Sequence, residues 1–89
     1  MSPLAGAIAT VLATSDEKML SAIQSAGADD LLEMHVWLGG DIRNLLGLWD
    51  DGLPLPHYFR EKGIDHPDDM SLEVLHAVRA ELRGEEVIQ

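Results

Sequence analysis

The chain has no cysteine. Disulfides, thiolate zinc sites and cysteine nucleophiles are therefore excluded, and cysteine usage says nothing about the compartment. Cations are scarce: six Lys and Arg stand against sixteen Asp and Glu, a formal net charge of −10 at pH 7. Gripping a phosphate backbone or an anionic membrane takes a surplus of Lys and Arg, so neither nucleic acid nor a lipid surface is expected as a partner. Long apolar runs are missing too. The stretch Leu4 to Ala13 is too short to cross a hydrocarbon core of ~30 Å, and no Lys or Arg precedes it as in a signal peptide. The expected location is cytoplasmic. Alternating strand patterns, repeats and low-complexity tracts are absent as well.

What is present is helical periodicity. With 89 residues, 46 % of them hydrophobic, the chain has the size of one domain and the apolar content to fold. Residues 1–89 are expected to form an all-α, compact single-domain bundle of four to five helices. Glycine enters the left-handed conformation without a Cβ penalty, and Gly27, Gly52, Gly63 and Gly84 sit where helical patterns end. A first helix opens at Ser2 and Pro3 with Leu4, Ile8, Val11 and Leu12 as its stripe. Thr14 to Glu17 reads as a capping box, and a second helix follows with Met19, Leu20 and Ile23; the pattern leaves open whether these two are one bent helix.

The third helix, Asp29 to Asp50, is the longest and is expected to be central. Leu31, His35, Leu38, Ile42, Leu45 and Trp49 recur on one face, while Trp37 and Leu48 lie on roughly the opposite side. Leu53-Pro54-Leu55-Pro56 reads as a stiff connector into a short helix with Tyr58 and Phe59. Met70, Val74, Leu75, Val78 and Leu82 mark the last helix. The acidic tail 85–89 is expected to fray.

Four features could carry chemistry. Arg43 lies one turn from Gly39 and one turn from Gly47, and two glycines within a helix, each costing about 1 kcal/mol, suggest a spatial need. They would admit a close helix or make room for the guanidinium, which would pair with Asp68 or Asp69. The pair is expected to be structural, so that Arg43→Ala costs several kcal/mol by stranding a buried carboxylate; the alternative is an Arg43 that grips a ligand carboxylate or phosphate. Asp65-His66-Pro67-Asp68-Asp69-Met70-Ser71 reads as a helix start, with Asp65 and Asp68 as a capping-box variant and Pro67 in the first turn. His66 with Asp68 or Asp69 could alternatively hold a metal, although the ligands are crowded and no metal or other cofactor is expected. His35 on the apolar stripe suits a neutral core histidine; beside Asp69 it could instead move protons, but Ser71 lacks the setting of a nucleophile. Finally, Trp37 and Leu48 would be covered by the N-terminal helices or would form a contact patch.

His35, Leu38-Gly39, Ile42-Arg43-Asn44, Leu48-Trp49, Tyr58-Phe59, Gly63-Ile64 and His66 to Ser71 together resemble a bacterial domain family of unknown function. Its marks are the Arg-Asn pair, the Leu-Trp pair and the His-Pro-Asp-Asp-Met-Ser string, so the resemblance covers residues 35–84. It implies a small helical domain and carries no activity. Two functions follow from the residues. The first is a non-enzymatic interaction module binding another protein or itself. The second is a small-ligand or metal-binding domain using Arg43, His35, His66, Asp68 and Asp69, with Asn44 and Ser71 in the same candidate polar cluster. No catalytic residue is assigned.

Overall fold

Helix starts in this chain come from short-range caps. In the computed structural model, which describes residues 2–50 and 52–87, the helices are α1 (Pro3–Thr14), α2 (Glu17–Ser25), α3 (Ala28–Leu46), α4 (Pro54–Glu61) and α5 (Pro67–Leu82). The Ser2 hydroxyl accepts from the Ala5 N–H at 3.1 Å and opens α1, with Pro3 in the first turn where a missing N–H costs nothing. The first two helices are separate. Extended backbone at Ser15 and Asp16 breaks the chain, and the Asp16 carboxylate caps α2 through the Met19 N–H at 2.8 Å. The cap is thus Asp16 rather than a box running from Thr14 to Glu17.

The end of α3 differs from expectation. The helix stops at Leu46, because Gly47 adopts the left-handed conformation with φ 64°. The Leu48 N–H then reaches back to the Arg43 carbonyl at 3.0 Å, closing the last turn. A Cβ at Gly47 would also meet Leu53 Cδ1 at 2.5 Å, but that is the end of an exposed side chain free to move aside, so it is the left-handed backbone that calls for glycine. Gly52 is not a helix stop of this kind, and Gly27 precedes α3 with ordinary extended backbone, its N–H held by the Asp30 carboxylate at 3.0 Å. Gly63 and Gly84 do have positive φ after α4 and α5. The proline-rich connector is itself helical: Pro54 opens α4, which buries Leu55, Pro56 and Phe59.

α3 is the longest helix, as expected, but the centre of the bundle is α5. All four other helices pack on it, and Met70, Val74, Leu75 and Val78 are fully enclosed. α3 buries one face, with Leu31, Met34, Gly39 and Ile42 against α5, and leaves the rest to solvent. The radius of gyration of 12.0 Å equals the ~12 Å of a compact domain of this length. Beyond Gly84 the chain runs without helix to Val87, whose side chain packs against the core; residues 88–89 of the tail expected to fray lie outside the described residues.

Candidate functional site

The α3–α5 crossing gathers most of the polar cluster. Gly39 is its pivot: a Cβ there would lie 3.0 Å from Arg43 Nη1, 3.2 Å from His35 Nδ1 and 3.3 Å from Ser71 Oγ. One missing side chain thus lets α5 approach and gives the guanidinium room to fold along its own helix. Gly47 does neither, since it terminates the helix.

Arg43 Nη1 forms an ion pair with Asp68 Oδ1. The pair is only half shielded, with Arg43 21 % and Asp68 49 % exposed. The guanidinium also sits 5.5 Å from the centre of the Trp49 ring, a cation–π contact, and its Nε is buried without a hydrogen bond. Asp68 is not a stranded buried carboxylate in waiting. Arg43→Ala is therefore expected to cost about 1 kcal/mol rather than several, read from the shift of a urea unfolding midpoint at unchanged slope. A loss above about 3 kcal/mol would mean that water does not reach Asp68 once Arg43 is gone.

His66, not Asp65, caps α5. Its Nδ1 accepts the Asp68 N–H at 3.0 Å, so that nitrogen carries no proton and its 3.7 Å approach to Asp68 Oδ2 is not an ion pair. Asp69 and Asn44 are exposed and join neither Arg43 nor each other. Among the described residues, no group of three or more His, Cys, Asp and Glu side chains converges well enough to hold a metal ion.

Ser71 is fully buried, and its hydroxyl donates to the Asp68 carbonyl at 2.8 Å. The contact of 3.1 Å between His35 Nδ1 and Ser71 Oγ must then run from an Nδ1–H to the serine oxygen. The basic nitrogen of His35 is consequently Nε2, which does not face Ser71. This is a structural staple, turned the wrong way for activating a serine nucleophile.

The two candidate interface residues part company. Trp37 is 59 % exposed, whereas Leu48 is wholly buried. Their expected common side assumed a helix continuing to Asp50; the turn at Gly47 redirects Leu48 into the core and leaves Trp49, expected inside, 60 % exposed. Leu45, also expected on the apolar face, is exposed, and so is Leu32.

The helix pattern alone did not reveal a clamp between α2 and α5. Arg83 donates to the Gln24 and Ala26 carbonyls at 2.7 and 2.9 Å, and Arg79 to Ala26 at 3.0 Å, while Gln24 Nε2 returns a bond to the Leu82 carbonyl at 2.9 Å. Basic residues in a last turn ordinarily answer their own helix dipole; here they satisfy the open carbonyls of a neighbour. Two grooves lie among the described residues. One of about 240 Å³ runs between α4 and α5, where the buried Tyr58 hydroxyl has no partner. The other, about 430 Å³, lies between α1, α2 and α3. None of the polar-cluster residues lines either.

These features define a small all-α bundle domain with a polar staple at its main helix crossing and apolar side chains left on the outside of its longest helix. The chain belongs to the DUF6794 family, a domain of unknown function, matched over residues 2–82. No curated protein and no solved structure matches it. The match takes in α1 and α2 as well as residues 35–82 of the stretch 35–84 on which the resemblance rested. No helix among the described residues is long and apolar enough to cross a membrane.

Proposed function

We propose that this domain is a non-enzymatic protein-interaction module that works through the outer side of α3. The observation that carries this reading is where apolar surface is left uncovered. Leu32, Val36, Trp37, Leu45, Trp49 and Leu53 are the large hydrophobic side chains exposed among the described residues, and all belong to α3 or the segment that follows it. Single exposed apolar residues are ordinary, but a concentration of them on one element marks a contact surface, and tryptophan is the side chain most enriched at binding hot spots. The ligand-binding reading has less support. Arg43 is already paired with Asp68, and Asp69 stands apart from both.

The test is affinity capture from a lysate of the native cell with the intact domain and with a Trp37→Ser, Trp49→Ser double variant. A stoichiometric partner present with the first and lost with the second is expected, with both proteins melting alike because neither tryptophan is core. Equal capture by both, or capture by neither, would overturn the reading.

A further inference from the structure

α2 and α3 both lie on α5 but barely touch each other, and the trough between them is the groove of about 430 Å³. That volume falls within the ~300–1,000 Å³ of sites that enclose a ligand or an inserted side-chain cluster. Its floor is apolar, with Ile42 of α3 and Leu75 of α5, and its walls are Met19 of α2 and Leu38 and Leu45 of α3. Met19 and Leu38 are only partly buried, so the bundle leaves them without a full complement of neighbours. The geometry is that of a bundle position with no helix in it.

Charge says what kind of helix fits. Asp16 stands on one wall and Asp41 on the other, and no Lys or Arg lines the groove. Asp41 makes no ion pair or hydrogen bond among the described residues, and it shares a ridge of α3 with the exposed Trp37 and Leu45, one turn to either side. Four of the six cations of the chain are engaged elsewhere: Arg43 with Asp68, Arg79 and Arg83 with the end of α2, and Lys62 over the Tyr58 ring. Lys18 follows Asp16 on α2 but does not line the groove. A second copy of a chain of net charge −10 would bring acid against acid here, which like-charge repulsion opposes.

We infer that this groove receives a basic amphipathic helix of a partner protein, its apolar side chains against Met19, Leu38 and Leu45 and its Lys or Arg side chains meeting Asp16 and Asp41. Helix-in-groove docking of this kind draws affinity from the apolar face and register from the charges. The inference rests on the interaction reading above and adds one site and one partner chemistry at the edge of that surface, where Leu45 belongs to both.

The probes are a synthetic helical peptide with leucines on one face and lysines on the other, and its counterpart with every lysine replaced by glutamate. Titration followed by backbone amide NMR shifts should show the lysine peptide moving Asp16, Met19, Leu38, Asp41 and Leu45, and the glutamate peptide moving nothing. Asp41→Lys should weaken binding about tenfold or more, whereas Glu81→Lys, the same charge change on an exposed site of α5 away from the groove, should not. Shifts centred on Val36 and Trp49, equal effects of the two lysine variants, no binding of the lysine peptide, or sedimentation showing self-pairing through Asp41 would each overturn the inference. A native partner lost with Trp49→Ser but captured undiminished by Asp41→Lys would leave the interaction reading standing and sink this one alone.

Discussion

Leu48→Ala is expected to lower the unfolding free energy by about 2–5 kcal/mol, whereas Trp37→Ala should change it by less than about 0.5 kcal/mol. Leu48 lies just beyond the left-handed Gly47 and is fully enclosed, so truncation removes its burial and leaves a cavity. Neither of the two grooves described above is lined by Leu48. A domain of this length holds roughly 4–13 kcal/mol in total, so the loss is a large share of its stability. Paired urea melts of the two variants make the comparison. Equal, small losses would place Leu48 on the surface beside Trp37, as an uninterrupted α3 would have done.

Gly39→Leu is the second large effect, expected at about 1–3 kcal/mol of lost stability. Three polar atoms crowd the point where a Cβ would stand. Arg43 Nη1 is the end of a long side chain, but Asp68 holds it; His35 Nδ1 and Ser71 Oγ hold each other, and Ser71 sits inside α5. A larger residue must separate α3 from α5 or break the His35–Ser71 hydrogen bond, itself worth about 1 kcal/mol. The adjacent Gly40 supplies the control. A Cβ there would approach nothing closer than Arg43 Nη2 at 3.7 Å, so Gly40→Ala should be neutral or should gain up to about 1 kcal/mol from helix propensity. Opposite signs at neighbouring glycines would show that the crossing, and not helix propensity, demands glycine at 39. If Gly39→Leu melted like the parent, the close approach of the two helices would be dispensable.

Both effects turn on features that differ in how far the sequence reveals them. The all-α class, the helix openings at Ser2 and Pro67, and the stops at Gly63 and Gly84 are legible because caps and helical periodicity act within a turn or so of chain. The apolar stripe of α5 is legible for the same reason. The sequence also points Arg43 to the acidic start of α5 but leaves Asp68 and Asp69 open, and the structure pairs it with Asp68.

Tertiary structure decided the rest. In the sequence the pattern of α3 runs on to Gly52, yet the helix ends at Gly47, where left-handed backbone returns the Leu48 N–H to the Arg43 carbonyl and carries the Leu48 side chain into the core. That single turn reset the phase of everything after it, sending Leu48 inward and Trp49 outward. Periodicity finds the apolar sides of a helix without saying which of them another helix will cover. α3 offered more than one, and α5 is the helix that packs on it most closely. The carbonyls that Arg79 and Arg83 satisfy belong to residues more than fifty positions earlier. The acidic groove exists only because α2 and α3 share α5 without closing on each other. Short-range order is written in neighbouring residues, whereas coverage, burial and grooves depend on contacts between segments that the chain itself keeps far apart.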